Sequence, residues 1–118
     1  MIDFKQAIIN GQEKAASCKH NIDEIKSMFI ALDDQLFSHG IRLYLDSSFG
    51  GSLKMVSIAN PSVCRTIGRW KQHIDGYPFT LDYSDSISFC ETTLELKTAI
   101  IKMVSSGSFW LEAKSILN

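Results

Sequence analysis

Apolar and small residues recur at steps of four and three along the first third of the chain. That spacing places them on one stripe of an α-helix, and no proline interrupts them. The ten positions of this stripe, called the seam below, are Phe4, Ile8, Gly11, Ala15, Cys18, Ile22, Ile25, Phe29, Leu32 and Leu36. The seam keeps its phase throughout, so we predict one long helix ending at Gly40. Asn21 followed three residues later by Glu24 resembles the start of a helix. A break in the long helix near Asn21 is therefore an open alternative.

From residue 41 onward the pattern changes from helical spacing to alternation, which is typical of half-buried strands. Residues that favour turns separate the alternating segments. Because the connections are short, neighbouring strands are expected to be antiparallel and to form a meander. We predict four or five strands, over 41–46, 53–59, 66–74, 78–83 and, for a short fifth strand, 87–90.

Helical spacing returns at the end of the chain. Thr92 followed three residues later by Glu95 fits a capping box, and Gly107 is predicted to end that helix, with Ser108 capping a last short one. Strands grouped together between helices indicate the α+β class. We therefore predict a single globular domain over residues 1–118. It is a two-layer sandwich with a long N-terminal helix, a four- or five-stranded antiparallel meander and two C-terminal helices.

Composition narrows the classes of protein that this chain can belong to. Apolar residues make up 45% of the sequence, which is enough for a packed core. The longest apolar runs are far shorter than the roughly 20 residues of a membrane span, and the N-terminus lacks the pattern of a signal peptide. Three widely spaced cysteines then indicate reduced thiols in the cytoplasm. The net charge of −1 makes general nucleic-acid binding unlikely.

Candidate catalytic and metal-binding patterns are weak. Cys18 and His20 are the nearest approach to a metal-ligand pair, but their side chains diverge by about 200° on a helix. The segment 49–52 is glycine-rich but feeds a strand, so it is interpreted as a hairpin turn rather than a phosphate loop. Asp33 and Asp34 are adjacent and are interpreted as a solvated helix face. We therefore predict no enzymatic activity, no metal and no cofactor.

The segment from Arg65 to His73 has the character of a binding surface. Alternation directs Arg69, Lys71 and His73 to one side of the predicted strand and Trp70 to the core. The charges either bind a partner or only solubilise the sheet, with pairing to Asp82 on the next strand. Inward placement of Trp70 weakens an RNA-binding interpretation. The candidate partner-binding residues are Tyr44, Asp46, Arg69, Lys71, His73, Asp82 and Asp85.

The layout of the chain resembles small bacterial immunity proteins of contact-dependent inhibition systems. The resemblance rests on the chain length, on the long leading helix, on the segment 76–83 (GYPFTLDY) within the meander, and on the closing helix from Thr92. It covers the whole chain loosely and carries over no individual functional residue. It implies a cytosolic protein that binds and blocks a co-encoded toxin.

The leading hypothesis is therefore a non-catalytic module that binds a cognate protein toxin, most readily a nuclease, and covers its active site. One rival is a small enzyme or enzyme subunit whose site forms on oligomerisation. Another is an RNA-associated regulator that uses the strand from Arg65 to His73. A homodimer through the long helix also remains open.

Overall fold

The fold is described by a computed structural model that covers residues 3–117. Three helices flank one five-stranded sheet, in the order predicted from the sequence. The elements are α1 (Lys5–Phe37), β1 (Ile41–Leu45), β2 (Gly50–Ser57), β3 (Cys64–His73), β4 (Gly76–Tyr83), β5 (Ser86–Cys90), α2 (Thr93–Val104) and α3 (Gly107–Leu117). The chain is thus an α+β protein with an antiparallel sheet, as expected.

Helix α1 is continuous past Asn21, which resolves the open question of a break. It runs for 33 residues, and the chain then turns through Gly40, whose φ of +81° is easily adopted by glycine. Only the C-terminal half of the seam packs against the sheet. Ile25 and Leu36 are fully buried there, whereas Ile22, Phe29 and Leu32 are half-buried.

The N-terminal half of α1 projects beyond the body of the protein. Every side chain from residue 5 to residue 17 is exposed, and this segment, called the overhang below, is about 20 Å long at 1.5 Å per residue. The described chain accordingly measures 70 × 26 × 20 Å. The helix leaves the body beside Gly76, where an added Cβ would approach the Asn21 Cβ to 2.8 Å. The close approach, together with a φ of +96°, requires glycine at that position.

The sheet is a simple meander. Its strands follow in the order β1-β2-β3-β4-β5, and every neighbouring pair is antiparallel. Two register shifts occur in it. One lies between Gln72 and His73 of β3. The other is a bulge where Leu53 and Lys54 of β2 pair with Gly68 and Thr66, so that Ile67 is an extra residue on β3. At the bulge, a Cβ on Gly68 would lie 2.4 Å from the Asp82 carbonyl oxygen, so the two backbones can approach only with glycine there.

One hydrophobic core lies between the sheet and the helices. Phe79 is its centre, since its ring lies 5.7 Å from that of Phe29 on α1 and 5.8 Å from that of Trp70 on β3. Trp70 therefore faces inward, as alternation predicted. The buried residues that α2 and α3 contribute are Leu96, Ala99, Ile100, Met103, Phe109, Ala113 and Ile116.

The caps of the C-terminal helices agree with the sequence at α2 and differ at α3. The Thr92 hydroxyl accepts a hydrogen bond from the Glu95 N–H at 3.2 Å, which confirms the predicted cap. The predictions that Gly107 ends α2 and that Ser108 caps the last helix were wrong. Helix α2 already ends at Val104, and Gly107 is the first residue of α3. The Ser106 hydroxyl accepts from the Phe109 N–H at 3.3 Å and takes the capping role.

Asp33 attaches α1 to the edge of the sheet. Its carboxylate accepts hydrogen bonds from the Leu43 backbone N–H at 2.9 Å and from the Arg42 guanidinium at 3.0 Å. The side chain is only 18% exposed, so the interpretation of Asp33 as part of a solvated face was wrong, whereas Asp34 is exposed. Since β1 is an edge strand, this contact also blocks part of an edge that would otherwise pair with other chains.

We expect the two halves of the seam to differ sharply in their contribution to stability. Replacing the buried Ile25 with alanine should lower the free energy of unfolding by about 2–5 kcal/mol, because the substitution leaves a cavity in the core. The matched change Ile8→Ala, on the overhang, should alter it by less than about 0.5 kcal/mol. Denaturant unfolding of both variants measures this, and equal losses would show that the overhang packs against the body.

The adjacent aspartates provide a second matched pair. We expect Asp33→Ala to lower the free energy of unfolding by about 1.5–3 kcal/mol, because hydrogen bonds to a charged acceptor are lost and the Leu43 N–H is left without its partner. Asp34→Ala, one position away and solvated, should have little effect. Thermal and denaturant melts of the two variants decide the matter, and a similar loss for both would contradict the anchoring role of Asp33.

Candidate partner-binding face of the sheet

All three helices pack on one side of the sheet, which leaves the other side, called the open face below, uncovered by them. Strand register defines its rows of side chains. Tyr44 on β1 lies beside Lys54 on β2. The next two rows run across the sheet from β2 to β5 and consist of Ser52, Arg69, Asp82 and Ile87, and of Gly50, Lys71, Thr80 and Phe89.

The open face carries large apolar side chains in contact with solvent. Phe89 is 70% exposed, Ile87 is 54% exposed and Tyr44 is 45% exposed, while Phe49 in the β1–β2 turn is 53% exposed. Single exposed apolar residues are ordinary, but several on one face among charged residues are typical of a binding surface. This is the composition expected of a protein–protein interface, with aromatic anchors and a polar surround.

A shallow depression occupies the middle of the open face. It has a volume of about 490 Å³, and Phe49, Arg69, Lys71 and Ile87 form parts of its wall. Its position follows from the β1–β2 turn, whose Phe49 carbonyl accepts a hydrogen bond from the Gln72 N–H at 2.7 Å. That bond holds the turn against the end of β3 and places Phe49 beside Arg69 and Lys71.

The charges of the open face are mixed, and only some are paired. The Lys54 ammonium lies 3.4 Å from the Asp46 carboxylate, and this interaction raises the pKa of Lys54. Arg69 lies directly opposite Asp82 in the register. Within residues 3–117, however, neither Arg69 nor Lys71 forms a salt bridge. Two cations are therefore available to an external partner, next to acidic groups that restrict which partner fits.

The structure gathers five of the seven residues predicted as the partner-binding site. Those on the open face or at its rim are Tyr44, Asp46, Arg69, Lys71 and Asp82. His73 and Asp85 lie near opposite ends of β4, about 25 Å apart for a strand of this length. The His73 imidazole instead approaches the neighbouring Asp75 at 3.5 Å. His73 and Asp85 can therefore contact the same partner only at opposite edges of a large interface.

Sequence reasoning missed four residues of this surface, namely Phe49, Lys54, Ile87 and Phe89. Phe49 was assigned to a turn without a direction for its side chain. The start of β2 was predicted at residue 53, although pairing already begins at Gly50. Ile87 and Phe89 alternate with Ser86, Ser88 and Cys90, and that alternation was the available signal. Without the register it does not say which set faces the helices.

Two of the three cysteines, Cys18 and Cys90, lie in surroundings that act against reactivity, whereas Cys64 is exposed. Burial raises the pKa of the Cys90 thiol, and partial burial with a nearby Asp75 carboxylate raises that of Cys18. Both effects disfavour a reactive thiolate. Among residues 3–117, no cluster of three or more histidine, cysteine or acidic side chains is placed to hold a metal ion. In the same range, no helix combines the length and apolar character needed to cross a bilayer.

A polar chain also joins α1, α2 and β4 on the helical side. The Glu24 carboxylate accepts a hydrogen bond from the Thr93 hydroxyl and lies 3.0 Å from the His20 imidazole. The Tyr77 and Thr93 hydroxyls are 2.8 Å apart, and burial raises the pKa of Tyr77. This arrangement of a base and a hydroxyl was not expected from the sequence. Its groups satisfy one another between three elements, which makes it a structural connection.

Comparison with known proteins adds no assignment: no family model, curated protein or solved structure matches the chain.

Proposed function

We propose that this chain is a non-catalytic protein-binding module, an immunity protein that neutralises a cognate toxin in the cytoplasm by covering the toxin's active site. The observation that supports the proposal is the open face itself. It combines exposed aromatic and aliphatic side chains with unpaired basic residues and nearby carboxylates. A surface of this kind suits a protein partner with both apolar and charged groups.

A nuclease is the toxin that the sequence-based hypothesis favours, and the open face would meet it with charges of both signs. An enzyme that binds nucleic acid presents basic residues to phosphates, and Asp46 and Asp82 supply acidic groups that such a surface would attract. Arg69 and Lys71 add charges of the opposite sign, which favour one orientation of the partner and exclude others. An interface of about 800 Å² per partner, the usual size for a specific complex, would span most of the sheet.

An RNA-associated function is the second candidate, because Phe49 and Phe89 are exposed on the same face as Lys71. Readers of single-stranded RNA stack bases on aromatic side chains next to basic residues. The carboxylates of Asp46 and Asp82 oppose it, since they repel phosphates on the same face. The protein partner is therefore the better supported of the two.

Charge reversal on the open face tests the proposal. The product of the reading frame directly upstream is titrated with the wild-type chain and with Lys71→Glu and Asp82→Lys separately. We expect tight binding and loss of toxic activity with the wild type. Each variant should bind more weakly, by about 2–5 kcal/mol where the charge is desolvated, or associate more slowly and with greater salt sensitivity where it stays at the rim.

Lys97→Glu on α2 is the matched control, because Lys97 is exposed and lies on the helical side of the molecule. It should leave affinity unchanged, and thermal melts should show that all three variants fold. Failure of the wild type to bind or inhibit the toxin would refute the immunity function. Tight binding that neither open-face variant alters would refute the use of this face. Binding of a single-stranded RNA of about 12 nucleotides, lost with Lys71→Glu, would favour the second candidate.

A further inference from the structure

The overhang of α1 carries an apolar surface that nothing in the described chain covers. Phe4, immediately before the helix, is 64% exposed, and Ile8 is 58% exposed. Both belong to the seam whose later members Ile25 and Leu36 are buried against the sheet. The exposed stripe is therefore the direct continuation of an established helix-packing interface.

Lysines lie on both flanks of this stripe, and Asp3 is an acidic residue beside its first position. Successive residues of a helix are about 100° apart. Lys5 follows Phe4 and Lys19 follows Cys18, so these two lysines lie on one flank, while Lys14 precedes Ala15 and lies on the other. Glu13 falls about 200° from Ala15, on the back of the helix. Asp3 lies on the Lys14 flank at the very start of the stripe, where its carboxylate accepts a hydrogen bond from the Lys5 backbone N–H at 2.9 Å. A partner that covers the stripe meets positive charge on either side.

The same charges argue against a second copy of the chain as that partner. Consider two such helices that pair in parallel. The residue just before a seam position on one helix lies opposite the residue just after the following seam position on the other helix. Lys14 would then face Lys19 of the second copy. In an antiparallel pair, like flanks face each other, and lysine again opposes lysine. Self-association through the overhang therefore brings like charges together in both orientations.

Gly11 supplies an independent indication of a helical partner. Glycine within a helix is less favourable than alanine, and a Cβ added at Gly11 would meet no other atom within 4 Å. Packing within the chain therefore gives no reason for its small size. At the centre of the exposed stripe, a missing side chain lets another helix approach more closely, because the distance between helix axes depends on the residues at the contact.

We propose that the overhang is a second interaction surface, which binds an amphipathic helix of a partner protein whose apolar face is flanked by carboxylates. The partner helix would cover the exposed half of the seam, as the sheet covers the C-terminal half. The acidic side chains of the partner would lie beside Lys5, Lys14 and Lys19. This surface is separate from the open face. The proposal does not depend on the toxin-binding function.

The test uses the whole chain and two synthetic helical peptides of about 20 residues. Both have leucine along an apolar stripe, and they differ only in carrying glutamate or lysine at the flanking positions. We expect the chain to bind the glutamate peptide at least about tenfold more tightly than the lysine peptide. The double variant Lys14→Glu with Lys19→Glu should reverse that preference.

Two substitutions on the stripe make the test specific. Ile8→Asp should weaken binding of the glutamate peptide at least about tenfold, whereas Leu111→Asp, at a position 70% exposed on α3, should leave it unchanged. Gly11→Ala should increase the helix content of the free chain, measured by circular dichroism, and yet weaken the peptide complex. A purely structural role for Gly11 would not give opposite changes in these two measurements.

Several results would overturn the proposal. One is the absence of binding of the glutamate peptide at about 1 mM, and another is equal binding of the lysine peptide. Sedimentation showing a dimer that dissociates on Ile8→Asp would identify a second copy as the occupant instead. Vesicles containing phosphatidylglycerol that displace the glutamate peptide would identify an anionic lipid surface.

Discussion

The packing of the C-terminal half of α1 against the sheet is the contact on which the rest of the structure depends. Ile25 and Leu36 of this helix are buried in the core. Asp33, which lies between them in the sequence, accepts a hydrogen bond from the backbone of β1. A five-stranded meander alone would expose its apolar face, and its short hairpins would be marginal in water. The helix covers that face, and α2 and α3 complete the cover at the other strands.

This arrangement determines which surfaces remain for function. Because all helices are used on one side, the opposite side keeps its aromatic and charged residues in solvent. Because α1 is longer than the sheet that it crosses, its first turns have no support from the body. An isolated helix of this length is marginally stable in water, and a bound partner would stabilise it. The open face thus follows from the placement of all three helices on one side of the sheet, and the exposed stripe follows from the length of α1.

Much of the fold could be predicted from periodicity because the local and global patterns agree. The seam kept its phase across Asn21, and alternation located all five strands to within a few residues. Asp33 could not be anticipated, because its role depends on β1 lying beside α1, which no local pattern records. Ser106 was missed for a similar reason: two serines and a glycine follow α2, and only the backbone shows which hydroxyl faces a free N–H. Periodicity also could not show that the N-terminal half of the seam is exposed. It identifies residues that share one helix face and does not identify the element that covers that face.

The binding surface was predictable in part. The outward direction of Arg69 and Lys71 follows from alternation alone, as does the inward direction of Trp70. The presence of Phe89 beside them requires the register of three strands, which hydrophobic pattern does not supply for so short a fifth strand. The sequence likewise identified His73 and Asp85 as polar residues but not the distance between them. That distance was known only once the order of the strands was known.

Small-angle X-ray scattering of the free chain tests most directly whether the overhang stands clear of the body and leaves two open surfaces. The account predicts a monomer with a radius of gyration close to 17.4 Å and a largest dimension near 70 Å. A compact chain of this length would give about 13–14 Å. A monomer with that compact value would show that the first turns of α1 fold back onto the body and would contradict the account.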